Sequence, residues 1–199
     1  MSQPIDLIVE DRREADALRA TLTPLRFWEK YREELRKKAS SEAYQSSPGW
    51  TQVAIPAATK ACEALELEVY REYFLLDVGG YKSHRDGKRF GWRLHVALEH
   101  ENANWRVELC KLAFIVADLR VLVGYHKYTA DGPDPRGELQ EAVDRLDDRV
   151  MRVPNSEWLF VLGPRSNDLK HPFMPFTLNA DGKVVPIDDD VPLIPSEFR

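Results

Sequence analysis

The chain has 199 residues, of which 43% are hydrophobic and 31% are charged, a composition typical of one globular domain with enough apolar surface for a core. Disorder along the whole chain is therefore excluded. A net charge of −5, from 28 basic and 33 acidic residues, also excludes the broad positive field of a dedicated nucleic-acid binder, so any phosphate contact must come from a local patch.

The N-terminus and the cysteines bear on the cellular compartment. The first ten residues lack the basic and apolar segments of a secretory signal, which predicts a cytoplasmic protein. The longest apolar run, Leu112 to Ala117, is far shorter than the ~20 residues that cross a bilayer, so no membrane association is expected. Cys62 and Cys110 form no CxxC pair, and we expect both to be buried thiols within helices.

The first elements along the chain are predicted to be helices. Thr23 followed by a proline is a typical helix start, and aromatic and apolar residues then recur at helical spacing from about Pro24 to Ala39. A second apolar stripe predicts a helix from about Pro56 to Leu67. Both helices precede the segments that carry the candidate chemistry.

The middle of the chain predicts two antiparallel strands. Aromatic and branched residues favour a strand in the segment Val69 to Val78, with Asp77 at the end of the strand. Asp86-Gly87 is typical of a two-residue hairpin, so the next strand, Leu94 to Glu101, should return antiparallel. This pairing would make Asp77 and Glu99 neighbours.

A strand–helix–strand crossover follows. Helical spacing predicts a helix from Trp105 to Val116, and the nearly all-apolar segment Leu119 to Tyr125 is expected to be a strand buried on both faces. A helix over Leu139 to Val150 and a strand from Trp158 to Leu162 complete a mixed sheet flanked by helices. We expect a single domain with a helical segment 1–50, a core 51–165 and a proline-rich C-terminal extension 166–199.

Carboxylates gather on one face of the strand Leu94 to Glu101. Alternation places Glu99 and Glu101 on the same side, and Asp77 should join them from the neighbouring strand. Crowded carboxylates repel one another, and a hard cation such as Mg²⁺ or Mn²⁺ relieves that repulsion. The alternative is that both glutamates are ordinary exposed residues, but unpaired carboxylates would be costly on a strand covered by helices. The pattern therefore favours a metal site.

These residues, in this order of elements, resemble the PD-(D/E)XK (restriction-endonuclease-like) nuclease superfamily. The resemblance covers roughly Pro56 to Tyr125 and implies an α/β fold with a mixed sheet of about four to five strands flanked by helices on both faces. It implies that Asp77 and Glu99 bind Mg²⁺ or Mn²⁺ together with the carbonyl of His100.

The lysine of the family pattern is replaced here. Its position holds Glu101, as in some members with Glu-x-Glu, and this second carboxylate could bind a second metal, act as the base or mark a degenerate site. Lys111 on the following helix could return the ammonium, as in some members, although an ion pair with Glu108 is an equally good interpretation. The catalytic set that the resemblance implies is Asp77, Glu99, Glu101 and Lys111.

The family often also has a glutamate on the helix before the first acidic strand. Glu66 and Glu63 are the candidates for this additional acidic position. Solvated helical glutamates are the simpler interpretation of both residues.

The hairpin between the acidic strands, KSHRDGKRFGWR, is the one clear basic patch of an acidic chain. Basic side chains interleaved with aromatic ones suit a phosphate backbone and unstacked bases, whereas the simpler interpretation is a solubilising hairpin tip. The expected partner is nucleic acid, with DNA favoured, and a homodimer is left open. The candidate nucleic-acid-binding residues are Arg85, Lys88, Arg89 and Arg93.

Together these features predict a divalent-metal-dependent phosphodiester hydrolase, a nuclease acting on nucleic acid. The alternative is a catalytically degenerate protein of the same fold that serves as a binding or assembly subunit, which Glu101 at the lysine position favours. A Rossmann dinucleotide-binding domain is excluded because the turn from Asn102 to Asn104 has no glycine-rich phosphate loop.

Overall fold

A computed structural model of the chain describes residues 17–18, 20–39, 41–44, 46–73, 75–86, 89–126, 134–146, 151, 155–164 and 173–187. Within these ranges, one mixed sheet of seven strands has helices packed on both faces. The predicted general α/β class is therefore confirmed, but the sheet has more strands than the four to five expected.

The elements are numbered in chain order over the described residues. The helices are α1 Pro24–Lys38, α2 Ser41–Tyr44, α3 Ser47–Ala64, α4 Trp105–Ala113 and α5 Pro135–Asp144. The strands are β1 Glu68–Tyr73, β2 Leu76–Asp86, β3 Arg89–His100, β4 Leu119–His126, β5 Glu157–Pro164, β6 Met174–Leu178 and β7 Val184–Pro186.

Helix starts follow local capping chemistry. Thr23 accepts a hydrogen bond from the Arg26 backbone N–H at 3.2 Å, which starts α1 where it was predicted. The start predicted near Pro56 is wrong, since α3 begins at Ser47 and carries Pro56 in its interior. Ser46 caps that earlier start by accepting from the Gly49 N–H at 3.1 Å, and the apolar face extends back to Trp50.

The strand predicted from Val69 to Val78 is two strands. β1 ends at Tyr73, which pairs with Leu76 at the start of β2, and the chain reverses between them. Leu75 takes a left-handed φ of 64°, a conformation that leucine rarely adopts, so sequence propensity did not reveal this turn. Asp77 therefore begins a strand where it was expected to end one.

The sheet order follows the chain from β1 to β7. β1, β2 and β3 are antiparallel neighbours, β3, β4 and β5 run parallel, and β5, β6 and β7 are again antiparallel. The predicted β2–β3 hairpin is confirmed by its ladder, in which Asp86 pairs with Arg89, while residues 87–88 lie outside the described residues. The beginning of β2 and the ends of β3 and β4 consequently meet at one edge.

Two hydrophobic cores lie on opposite faces of the sheet. Val78, Val96 and Val121 face α1 and α3, whereas Leu122 and Phe160 face α4 and α5. Every residue of β4 is buried, as predicted for a central strand of the sheet. Because the strand itself is buried, the end of β4 lies at the edge of the sheet.

A buried arginine lies within β4. Arg120 is fully buried, donates to the Met151 carbonyl at 2.9 Å and lies 4.1 Å from the centre of the Trp158 ring. Burial lowers the pKa of its guanidinium to about 10, so the group stays charged at neutral pH. Carbonyl contacts and the aromatic face replace the water that this cation loses.

The extra strands come from the C-terminal segment. β6 and β7 continue the sheet beyond β5, although prolines 175 and 186 make the segment resemble irregular chain in sequence. The helix predicted from Leu139 begins earlier, at Pro135, behind the capping Asp134, and residues 147–150 lie outside the described ranges.

Two expectations about α4 are wrong. The helix ends at Ala113, so Val116 lies beyond it and is exposed. Cys110 is exposed because it follows Leu109 by one residue and therefore points away from the buried stripe, whereas Cys62 is buried as expected. In the described part of the chain, no helix is long and apolar enough to cross a membrane.

Candidate active site

Asp77 and Glu99 lie side by side at the sheet edge. The antiparallel β2–β3 ladder pairs Val78 with Leu98, so Asp77, one residue before Val78, lies opposite Glu99, one residue after Leu98. Asp77 Oδ2 accepts a hydrogen bond from the backbone N–H of His100 at 2.8 Å. The structure thus brings together the two carboxylates that the sequence predicted as neighbours.

Lys111 reaches this pair from α4. Its Nζ lies 2.7 Å from Glu99 Oε1 and 3.1 Å from Glu108 Oε2, so the ammonium reaches Glu99 and also forms the ion pair with Glu108 that was the other interpretation of this lysine. Both of these oxygens are buried, and neither contact has the angles of a hydrogen bond. Glu99 therefore has a cation beside it but no directed donor on that oxygen.

The electrostatics of this cluster are dominated by burial. Burial raises the pKa of Glu99 to about 8, the charge of Asp77 adds to the shift, and Lys111 opposes it. Burial also raises the pKa of Asp77, against the bond from the His100 N–H. Burial lowers the pKa of Lys111, but Glu99 and Glu108 more than offset it, so the net shift is upward. All three groups hold protons tightly, as expected for a cluster with excess negative charge.

Glu101 is directed elsewhere. Its Oε1 accepts from the Ala103 backbone N–H at 2.5 Å, which closes the turn after β3. Its charge still raises the pKa of Asp77, so it lies within electrostatic range of the cluster. In this arrangement Glu101 stabilises a turn and does not contact Lys111.

His100 contributes its backbone to the site and its ring to the opposite face. The ring nitrogen Nε2 lies 2.6 Å from the Tyr125 hydroxyl, and the Trp50 indole N–H donates to that hydroxyl oxygen. Either the Tyr125 hydroxyl donates to Nε2 or Nε2 donates to the hydroxyl oxygen, according to the tautomer of the ring. Burial lowers the pKa of His100 to about 4, consistent with a neutral ring.

The two additional acidic candidates lie at the end of α3, which packs against the other face of the sheet, and in the turn after it. Glu63 is exposed near the end of α3, where Lys60 pairs with it at 2.5 Å. Glu66 is exposed in the turn after that helix, with φ of 61°. The structure does not bring either glutamate to the face that carries Asp77 and Glu99.

The basic hairpin is described in part. Arg93 lies 2.7 Å from Asp118 Oδ1, and His95 Nδ1 lies 2.6 Å from the other oxygen of that carboxylate. Burial raises the pKa of Asp118, but Arg93 and His95 lower that pKa by more than burial raises it, so the net shift is downward. Arg93 therefore holds a structural ion pair. The backbones of Arg85 and Arg89 lie in the β2–β3 ladder, their side chains are outside the described set, and so is all of Lys88.

A second cluster near this edge was missed in the sequence. His126 ends β4, and its Nδ1 lies 2.5 Å from Glu138 Oε2, while Arg106 lies 2.6 Å from the other oxygen. These three residues come from β4, α5 and α4, so no local motif joins them. Only the position of His126 at the end of a buried strand could have indicated this cluster from the sequence.

The donors fit a cation with two side-chain ligands. Among the described residues, no three histidine, cysteine, aspartate or glutamate side chains are placed to hold a metal ion together. Asp77 and Glu99 remain, and Mg²⁺ is commonly held by one or two carboxylates with water filling the other positions. The buried Glu99 Oε1 has no directed hydrogen-bond donor and has the chemistry of such a ligand, and the Lys111 ammonium lies 2.7 Å from it.

Comparisons with known proteins leave the family unassigned. No family model matches the chain, and neither the curated proteins nor the solved structures contain a match. Function must therefore be argued from the site itself.

Proposed function

We propose that this protein is a divalent-metal-dependent phosphodiester hydrolase of the PD-(D/E)XK type that acts on nucleic acid, with DNA as the favoured substrate. The observation that carries the proposal is the convergence of Asp77 from β2, Glu99 from β3 and Lys111 from α4. The ammonium lies 2.7 Å from Glu99, which supports Lys111 as the lysine that position 101 lacks.

The carboxylates and the ammonium have complementary roles in this proposal. Asp77 and Glu99 would hold Mg²⁺ or Mn²⁺ through hard oxygen ligands, together with the carbonyl of His100. When bound, the cation neutralises phosphate charge and lowers the pKa of a bound water. Lys111, kept protonated by Glu99 and Glu108, offers a fixed positive charge to the phosphate oxygens or positions the water.

Surrounding contacts hold these groups in place. The His100 N–H fixes the Asp77 carboxylate, and Glu108 fixes Lys111 from one helical turn away. On the other face, the hydroxyl of Tyr125 anchors the His100 ring. A site held from both faces of the sheet needs little reorganisation when a phosphate arrives.

A cleavage assay tests the proposal. Single-stranded DNA, duplex DNA and RNA are incubated with the pure protein in Mg²⁺, in Mn²⁺ and in chelator. At least one substrate should be cut, and only with metal. Absence of cleavage of all three, together with an unchanged melting temperature in Mn²⁺, would contradict the proposal.

A degenerate binding subunit is the second candidate. Two observations favour it: Glu101 closes a turn, and Lys111 already neutralises part of the Glu99 charge. On this alternative the ion pair is structural, and Mn²⁺ should not stabilise the fold. On the hydrolase proposal, saturating Mn²⁺ raises the melting temperature of the wild type but not of Glu99→Gln.

A further inference from the structure

The ammonium of Lys111 already lies against an oxygen that the proposed metal site needs. Lys111 Nζ is 2.7 Å from Glu99 Oε1, the buried oxygen that has no directed hydrogen-bond donor. Two cations in contact with one carboxylate oxygen repel each other strongly, and more so where little water screens them. A divalent cation that takes this oxygen therefore meets the ammonium of Lys111 as a rival.

Glu108 offers the same ammonium a second position. Its Oε2 lies 3.1 Å from Lys111 Nζ and is also buried without a directed donor. Both residues belong to α4, three positions apart, so this pair stays within one helix, whereas the contact with Glu99 joins the helix to the sheet. The flexible stem of a lysine allows the ammonium to shift toward Glu108 without leaving the site.

Negative charge exceeds positive charge around this lysine. A single ammonium faces the carboxylates of Glu99 and Glu108, and the carboxylate of Asp77 lies beside Glu99. A divalent cation offsets the remaining repulsion among these groups, so the cluster favours a cation in addition to the ammonium. Both can be present if they do not share an oxygen.

We infer that Lys111 competes with the divalent cation for Glu99 Oε1, and that Glu108 holds the ammonium when the cation takes that oxygen. Glu108 is on this view a positioning residue that keeps the lysine at the site. The inference rests on the proposed function, since it describes how the same site accepts its metal. A lysine that only supported the Glu99 carboxylate would instead help the cation to bind, so the two roles predict opposite effects of removing the ammonium.

Titration of Mg²⁺ without nucleic acid tests the competition apart from catalysis. Lys111→Met removes the ammonium, so the Kd for Mg²⁺, measured by calorimetry, should fall by about tenfold relative to the wild type. Arg145→Met is the matched control, because it removes one positive charge from an exposed ion pair with Glu141 on α5. The control should bind Mg²⁺ like the wild type.

Two precautions keep this measurement decisive. The titrations are made in alkaline buffer, where the Glu99 carboxylate is charged, so that a proton does not replace the ammonium as the competitor. Lys111→Gln also removes the charge and should lower the Kd to a similar extent, and it replaces Lys111→Met if that variant fails to fold.

Glu108→Gln tests the second position of the ammonium. With Lys111 present, this change leaves the ammonium its contact with Glu99, so the Kd for Mg²⁺ should rise by about fivefold. In the Lys111→Met background no ammonium has to be held, and the same change should have a clearly smaller effect. Glu141→Gln is the charge-matched control. Equal effects in the two backgrounds would overturn the role of Glu108 as the holder of the ammonium.

The outcomes separate this inference from the proposed function. An unchanged or higher Kd in Lys111→Met overturns the competition, even if the wild type cleaves nucleic acid. A lower Kd in a protein whose wild type cleaves no substrate supports the competition and overturns the hydrolase proposal. A lower Kd together with slower cleavage by Lys111→Met supports both, since the lysine then opposes the metal and serves the phosphate. Absence of Mg²⁺ binding in every variant overturns the competition, and the cleavage assay then decides the hydrolase proposal alone.

Discussion

At the scale of single residues, burial from water governs the charges of the candidate site. Glu99 is 2% exposed, and its main compensation among the described groups is the ammonium of Lys111. Removing one partner of a buried ion pair leaves an uncompensated charge, which costs far more than the pair contributes. Substitution of either Lys111 or Glu99 alone should therefore reduce the stability of the fold more than substitution of both.

The first prediction is a double-variant cycle on this pair. Lys111→Met should reduce the free energy of unfolding by about 1–3 kcal/mol, because the buried Glu99 carboxyl loses its cation and must either stay charged without a partner or take up a proton. Adding Glu99→Gln should restore most of the loss, since no carboxyl group is left to be charged or protonated. Urea denaturation of the three variants and the wild type measures the coupling. Losses that simply add would show that the two side chains do not interact.

Asp118 supports the second prediction, which concerns pH. Its pKa is lowered in the folded state, so its contribution to stability is complete above the unfolded-state pKa of 3.8 and disappears as pH falls through the lower folded-state pKa. Asp118→Asn should cost about 1–3 kcal/mol at neutral pH, because Arg93 and His95 lose a charged partner.

Stability curves against pH check this expectation. The gap between the wild type and Asp118→Asn should close once the pH is well below 3.8. Glu141→Gln, at an exposed position of α5, should show no comparable gap at any pH. A gap that persists unchanged in acid would mean that Asp118 acts through its shape and not through its charge.

At the scale of elements, the tight turn between β1 and β2 decides where Asp77 lies. The chain reverses between Tyr73 and Leu76, and Leu75 adopts a left-handed φ of 64° there while 82% exposed. Left-handed backbone costs a branched or bulky residue roughly 1–2 kcal/mol, and little burial compensates for it here. The turn is strained, yet it sets where β2 begins, and the β2–β3 ladder then places Asp77 beside Glu99.

The third prediction tests that strain. Leu75→Gly should stabilise the fold by up to about 1 kcal/mol, because glycine adopts positive φ without a steric penalty. Leu75→Ala keeps the Cβ and should give no such gain. Thermal unfolding of both variants provides the comparison. A loss of stability in Leu75→Gly equal to that in Leu75→Ala would show that the turn is not strained.

Elements were predictable where one pattern dominated. The cap at Thr23, the antiparallel hairpin and the buried strand β4 all follow from local chemistry or continuous apolar sequence. The break before Leu76 was not predictable, because no residue there is a typical turn former. β6 and β7 were hidden by their prolines, and the start of α3 was displaced because Pro56 lies inside a helix that packing stabilises.

At the scale of the whole molecule, the site exists because strand directions change within one sheet. Antiparallel pairing of β2 with β3 and parallel pairing of β3 with β4 bring a strand start and two strand ends to a single edge. The helix α4 that connects the parallel strands then carries Lys111 over that edge. The topology thus assembles a charged cluster from residues 34 positions apart, between Asp77 and Lys111.

The sequence predicted part of this assembly. The approach of Asp77 to Glu99 follows from strand pairing, whereas Lys111 was a candidate only through the resemblance to the nuclease superfamily. The turn made by Glu101, and the cluster that joins His126 to Glu138, depend on tertiary packing between distant elements. Such contacts leave no periodic pattern in the chain, and only the folded structure shows them.

Metal-dependent cleavage by a charge-removing variant tests the central claim most directly. The initial rate of single-stranded DNA cleavage in Mn²⁺ is measured for the wild type, Glu99→Gln and the surface control Glu141→Gln. We expect Glu99→Gln to lose at least about a hundredfold in rate while its melting temperature shows that it folds, and we expect the control to match the wild type. Undiminished cleavage by Glu99→Gln would contradict the assignment of this cluster as the active site.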